Sequence, residues 1–435
     1  MAVSDGDTIT VVKDQGLVAS VFHERTLAGL SGHLAIGHTR YSTTGSSTWR
    51  NAQPSYRSVG DEEFALGHNG NLVNTAQLAR GAGMLEGIVT SDSDLIAELL
   101  AEAVVNPPAE TSDERPLARA LLQLLPKLEG AFSLVVMDEE SVVGVRDPNG
   151  FRPLCLGRLA TGWVLASETP ALDIVGADFV REIEPGEMVV IDGTGVRSFH
   201  PFPADRVNPT LCLFEFVYFA RPDSRLNGRS VHQARIAMGE LLAEQAPVDA
   251  DMVIGVPESG VPAAEGFARR SGIPFGQGLV KNRYIGRSFI APSPKERAQA
   301  VRMKLNPLRE NIEGKRLVVV DDTIVRGTTQ KQLTKMLREA GAREVHLRIT
   351  APPVKWPCFY GIDIGDRNEL IAHNMSVEQI RSELDVDTLA YLDLDRLKAA
   401  TGAEPSAFCD ACFTGRYPVE VPVEVGKHVL ESAGH

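Results

Sequence analysis

The chain has 435 residues, 43% hydrophobic and 23% charged, which is enough for two domains with sizeable cores. Its formal net charge of −13 argues against nonspecific binding to nucleic acid or an anionic membrane. There is no apolar run long enough to span a bilayer and no recognisable signal peptide, so the expected compartment is the cytoplasm. The five cysteines, Cys155, Cys212, Cys358, Cys409 and Cys412, are too sparse for a disulfide framework and leave metal or cluster ligation open. Repeats and low-complexity tracts are absent.

The N-terminal half is rich in short strands. A strand is expected over Thr8 to Val12, followed by a turn near Gly16, and another at the start of His33 to Gly45, which then runs into polar residues. Phe64 to Asn74 places His68, Asn69, Gly70 and Asn71 in one turn. Asp92 is positioned to cap a helix with Leu95, Ile96, Leu99 and Leu100 on its apolar face. A second helix covers Leu117 to Leu128. Strands follow over Phe132 to Met137 and Val142 to Val145, then the turn Asp147-Pro148-Asn149-Gly150, then strands over Trp163 to Ala166 and Met188 to Ile191. Many strands with few helices read as layered α+β.

His200 to Thr210 is rich in proline and polar residues and marks a boundary between domains 1–205 and 206–435. Beyond it strands alternate with helices. A helix is expected over Val231 to Glu244 and a buried strand over Met252 to Val256. Glu258-Ser259-Gly260 then turns into a helix around Ala263 to Arg270. Lys281 to Leu305 is long, basic and aperiodic. Leu317 to Val320 reads as a strand buried on both faces and ends in Asp321-Asp322. Gly327, Thr328 and Thr329 lead into a helix carrying Leu333, Met336, Leu337 and Ala340, with Gly341 at its stop, and a strand follows over Val345 to Ile349. This half reads as α/β with a mostly parallel sheet.

Strand, acidic pair, glycine turn and helix start make a phosphate site: backbone N–H groups face the anion and threonine hydroxyls add donors. The two carboxylates suit a ribose diol or a hydrated Mg²⁺. A buried strand with an ordinary turn would account for each feature singly. It is not a P-loop, because the Gly-Lys-Ser/Thr ending is missing. The combination resembles the motif of type I phosphoribosyltransferases, whose substrate is phosphoribosyl pyrophosphate (PRPP). The resemblance makes Val256-Pro257-Glu258-Ser259-Gly260 the pyrophosphate loop, with Ser259 beside the Mg²⁺ that Asp321 and Asp322 also hold, although the family often has Asp-Ser-Ser there. Lys281, Arg283 and Tyr284 begin a loop resembling the one that folds over PRPP, and Arg326, Gly327, Thr328 and Thr329 complete the PRPP contacts.

Arg40-Tyr41-Ser42-Thr43 and His68-Asn69-Gly70-Asn71, taken one at a time, are plain turn chemistry. With Asp92 they resemble the glutaminase domain of the N-terminal-nucleophile amidotransferases, an αββα fold. The resemblance implies that Arg40 binds the glutamine carboxylate, Asp92 its α-amino group, and Asn69 and Gly70 the oxyanion. That family uses an N-terminal cysteine followed by a His-Arg-Gly-Gln-Glu-like stretch. This sequence opens Met1-Ala2-Val3-Ser4, and its first cysteine is Cys155. The expectation is therefore a domain without its nucleophile and first strands, with exposed core and sheet edges: a start codon placed too far downstream is the favoured cause, a fragment or a natural variant without glutaminase activity the alternatives.

Cys409-x-x-Cys412 by spacing alone reads as zinc, redox or nothing, and its distance from Cys212 and Cys358 matches no compact ferredoxin run. The surrounding segments LFEFVYFARPDS after Cys212, PCFYGID around Cys358 and CFTG from Cys412 resemble the cluster-bearing class of glutamine PRPP amidotransferases. The resemblance implies a [4Fe–4S] cluster on Cys212, Cys358, Cys409 and Cys412, with Cys155 a core residue. It further implies a pentosyl transfer that forms 5-phosphoribosylamine at the start of purine synthesis. The nitrogen comes from glutamine, or from ammonia alone if the nucleophile is absent. Restraint by purine nucleotides and a homotetramer are also implied. The rival reading is a non-catalytic PRPP-sensing regulator. A DNA-binding one would need a basic module, which the charge and sequence do not offer.

Overall fold

The computed structural model describes residues 1–40, 48–84, 88–107, 114–282, 304–362, 364 and 367–422. By its contacts the chain forms two units. The first holds residues 1–211 with 358–365 and those from 417 onward; the second holds 212–357 and 366–416.

The spine of the first unit is the strand Glu62–Leu72. It pairs antiparallel with Ser55–Val59 on one side and Gly130–Met137 on the other. The sheet continues through Val142–Arg146, Met188–Asp192 and Gly195–Phe199 to six strands. Two-residue alternation sends Phe64, Leu66, Phe132, Leu134 and Val136 to one face, against Ile96, Leu100, Leu117 and Leu121 of the helices Asp92–Val105 and Pro116–Leu124. Each such fully buried side chain contributes roughly 1.5–3 kcal/mol. On the other face Ala65 and Met137 meet Ala2, Ile9 and Ile36 of a three-stranded sheet ordered Ile9–Val11, Ala2–Ser4, Leu34–Ile36. Val189 and Ile191 meet Leu154 and Leu156, next to a second three-stranded sheet ordered Asp178–Glu182, Cys155–Leu159, Gly162–Ala166. The helix Thr169–Val175 covers that sheet through Leu172 against Cys155. Helix, sheet, sheet and helix layers give the αββα arrangement.

Two local expectations are corrected here. His68 to Asn71 do not form a turn: they lie inside the central strand, in unbroken register with Leu134 to Ala131. The polar run is accommodated by hydrogen bonds on both faces of the strand: His68 meets Ser93 of the helix Asp92–Val105, and Asn71 donates to the Phe359 carbonyl. Asp92 is not the cap of its helix: the Ser91 hydroxyl accepts from the Asp94 N–H at 3.2 Å, and Asp92 is the first helical residue.

The second unit is built on four parallel strands ordered Met252–Gly255, Arg316–Asp321, Glu344–Ile349 and Thr388–Tyr391. Leu317 to Val320 are buried on both faces, as their unbroken apolar run requires. The helix Thr328–Glu339 returns Leu333, Met336 and Leu337 to the core beside Leu317 and Val319. It ends at Ala340, with Gly341 in the left-handed region.

Candidate active sites

In the first unit the central strand carries Asn69 and Gly70 toward the start of the helix that carries Asp92. Gly70 has φ +153°, and a Cβ there would lie 2.0 Å from the Ala131 carbonyl oxygen, so only glycine fits. Asp92 is buried; it accepts from the backbone N–H of Ser93 at 2.9 Å and of Leu72 at 3.3 Å. Behind both lies a hydrogen-bonded ring. The Gln53 amide oxygen accepts the His68 backbone N–H at 2.7 Å, and its nitrogen donates to Ser93 Oγ at 2.8 Å. Ser93 Oγ meets His68 Nδ1 at 3.3 Å. His68 Nε2 lies 3.3 Å from the Ala131 carbonyl oxygen, an acceptor, so Nε2 carries a proton, and Nδ1 also lies 3.6 Å from Asp92 Oδ2. His38 is pushed down to about 4 by burial, with His68 and Arg40 adding to the shift, so it is neutral at pH 7. Arg40 is half-buried; Tyr41 to Ser47 lie outside the described residues. Cys155 is buried, its Sγ donates to the Ala166 carbonyl at 3.3 Å, and burial pushes its thiol up to about 12. It is a core residue, as expected. Gln53 and Ser93 were not singled out from sequence, because nothing local signals a contact across 40 residues.

In the second unit Asp321 and Asp322 end their strand almost wholly buried, 5% and 7% exposed. Burial pushes both carboxyls up, and for Asp321 the neighbouring Asp322 charge adds to it. Asp322 accepts from the Ser259 hydroxyl and, at 2.6 Å, from Thr323 Oγ1. Asp321 accepts the Asp322 N–H at 2.9 Å and the Gln330 amide at 3.1 Å; that amide also donates to the Thr323 carbonyl. Gln330, one turn into the helix, is a member of the site that sequence reasoning passed over. Ser259 thus meets the acidic pair as expected. Gly327 adopts φ +78°, and a Cβ there would sit 2.7 Å from Ile371 Cδ1. The turn it makes starts the helix at Thr328 and Thr329.

Two expected PRPP contacts are held by carboxylates. Arg326 pairs with Glu369, and Lys281 with Glu258 at 2.9 Å. Lys281 ends the strand Leu279–Lys281, which pairs with Leu305–Pro307 as the stem of the basic segment. Lys304, at the foot of that stem, acts electrostatically on Asp321. Arg283 and Tyr284 lie outside the described residues.

Cys212 and Cys409 close two short strands that pair with each other, and Cys412 lies in the helix Ala411–Thr414 just beyond. Lys355 and Trp356 donate their N–H groups to the Cys412 carbonyl. All five cysteines are free of disulfides. Among the described residues no group of three or more His, Cys, Asp or Glu side chains is arranged to hold a metal ion.

The two halves match separate family models. One described as a glutamine amidotransferase domain covers residues 38–174, and one described as a phosphoribosyl transferase domain covers 228–351. An amidophosphoribosyltransferase of Mycobacterium tuberculosis is 54% identical over 99% of this chain and 82% of its own length. The chain belongs to the amidophosphoribosyltransferase family. The likeness extends to three dimensions. The solved glutamine phosphoribosylpyrophosphate amidotransferase from B. subtilis, complexed with ADP and GMP, is similar at TM-score 0.88 and 42% identity, over 99% of this chain and 93% of that one. A structure described as the allosteric regulatory enzyme of purine biosynthesis is similar at TM-score 0.89 and 43% identity, over 99% of this chain and 92% of that one. Amidophosphoribosyltransferases therefore supply the fold expected from sequence, and catalysis is favoured over the regulator reading.

Proposed function

We propose that the chain forms 5-phosphoribosylamine from PRPP and a nitrogen from glutamine or ammonia. It would release pyrophosphate, and glutamate when glutamine is the donor, in the first step of purine synthesis. The observation that carries this reading is the buried Asp321–Asp322 pair, held by Ser259, Thr323 and Gln330 directly before the Gly327 turn. Two adjacent buried carboxylates with raised affinity for protons form a donor set that a divalent cation or a diol would relieve. Mg²⁺ accompanying PRPP fits these oxygens and would supply charge neutralisation for the leaving group.

The residues divide the work. Asp321 and Asp322 hold the ribose hydroxyls and the metal. The N–H groups after Gly327 and the hydroxyls of Thr328 and Thr329 hold the 5-phosphate. Ser259 and its loop face the pyrophosphate, with Lys281 and Arg326 around it. Lys281 and Arg326 first exchange Glu258 and Glu369 for the substrate's oxygens. The nitrogen lone pair attacks the anomeric carbon, the carbon–oxygen bond to pyrophosphate breaks, and the electron pair leaves with it. In the first unit Arg40 and Asp92 hold the amino-acid end of glutamine, and Asn69 and Gly70 stabilise the oxyanion. Replacement Asp322→Asn should lower turnover at least about 100-fold, roughly 2.7 kcal/mol of barrier, with the fold intact by circular dichroism. Unchanged turnover would remove the acidic pair from the mechanism.

The cluster reading is carried by the pairing of the Cys212 and Cys409 strands and the Cys412 turn beside them. Because the described residues gather no three ligands together, no step is routed through a cluster. Binding of purine nucleotides, a homotetramer and a cytoplasmic location belong to the same reading. They are supported by the ADP and GMP in the B. subtilis relative for the first, and by family resemblance alone for the other two.

A further inference from the structure

Five residues from far along the sequence pack behind the oxyanion strand. Cys358 to Ile362 belong by contacts to the first unit, although the sequence on either side builds the second. Asn71 Nδ2, one residue past Gly70, donates to the Phe359 carbonyl at 3.0 Å. Arg152 donates to the Gly361 carbonyl at 2.7 Å. The Tyr360 ring stacks on Phe151 at 4.4 Å between centroids, 15° from parallel, and its hydroxyl donates to the Val419 carbonyl at 2.6 Å. Gly361 adopts φ +102°, and a Cβ there would lie 3.2 Å from both Gly70 Cα and Gly70 C and 3.0 Å from an Arg152 nitrogen. Backbone therefore meets backbone, at the residue whose own Cβ would collide with the Ala131 carbonyl.

We infer that this strap, with Asn71 and Arg152 as positioning residues, sets the placement of Asn69 and Gly70 and so tunes how the first unit grips the amide of glutamine. The inference rests on the reading of Asn69 and Gly70 as the amide-binding pair. Gly70 approaches both the Ala131 carbonyl and Gly361 closely, so a shift of the ladder or of the strap reaches it. An anchor with two hydrogen bonds, a ring stack and a glycine contact, made to Gly70 and Asn71 of the strand and to Phe151 and Arg152 beside it, exceeds what closing a loop requires. The strap leads directly out of Cys358, so whatever orders that residue is ordered together with the strand.

The test uses the full chain and reads L-glutamine affinity by calorimetry, melting temperature, and pyrophosphate release with ammonium. Gly361→Ala should weaken glutamine about tenfold, the size of one strained hydrogen bond, with little change in ammonium-driven release. Asn71→Ala, which adds no atom, should weaken it several-fold, and Arg152→Lys should retain more affinity than Arg152→Ala. If the unaltered chain does not bind glutamine, the site reading itself fails. If it binds and Gly361→Ala and Asn71→Ala bind equally well, the strap is ordinary packing and the inference is overturned. Should Gly361→Ala fall in melting temperature and in both readouts together, Asn71→Ala decides by the same criterion.

Discussion

Asp147 shows what a buried carboxylate does when no substrate will neutralise it. It is fully buried and accepts N–H groups from Phe132, Asn149 and Phe151, yet burial pushes it up to about 6 from an ordinary 3.8. A raised acid binds protons more tightly folded than unfolded, so between about 3.8 and 6 stability falls as pH rises. The first unit should therefore lose stability on going from pH 4 to pH 6.5, and Asp147→Asn should flatten that slope in denaturant titrations. A slope unaffected by the change would assign it to another group. Asp321 and Asp322 carry the same sign, but there the strain is placed where a cation and a diol can relieve it. Asp322→Asn should accordingly raise the melting temperature of the substrate-free chain while abolishing turnover. A fall in both would mean the Ser259 and Thr323 hydrogen bonds outweigh the buried charge.

At the scale of elements, the central strand of the first unit was only half legible. Phe64, Leu66 and their neighbours alternate as a strand should, but His68-Asn69-Gly70-Asn71 has the composition of a turn. The register with Gly130–Met137 overrides that preference, since tertiary pairing satisfies the backbone through Leu72. Gly70 is then a residue of close approach, not of reversal. Gly70→Ala should destabilise the first unit by about 2–3 kcal/mol in denaturant unfolding. Gly162→Ala, where a Cβ meets nothing within 4 Å, should stay within about 0.5 kcal/mol. Equal effects would refute the packing explanation. By contrast, the strand ending in Asp321-Asp322 was plain from sequence, because an uninterrupted Leu-Val-Val-Val run leaves no exposed face to disguise. The edge strands Asp178–Glu182 and Thr388–Tyr391 gave no such signal, since their partners, and not their composition, make them strands.

Across the whole molecule the sequence showed two domains but not how the chain weaves between them. Residues 358–365 and those from 417 onward return to the first unit, and no composition shift marks either crossing. The cysteines straddle one of these crossings: Cys358 falls in the first unit, and Cys212, Cys409 and Cys412 in the second. If a cluster binds them, anaerobically prepared protein should contain iron and acid-labile sulfide, lost in Cys412→Ser and kept in Cys155→Ser. Equal iron in both variants, or none in the unaltered chain, would refute the ligand set. The acidic pair and its phosphate turn nevertheless carry the central claim, and one assay addresses it directly: pyrophosphate release by the purified chain given PRPP, Mg²⁺ and ammonium. The geometry around Asp321, Asp322 and Gly327 predicts steady, Mg²⁺-dependent release. Folded protein that binds PRPP and releases none would contradict it.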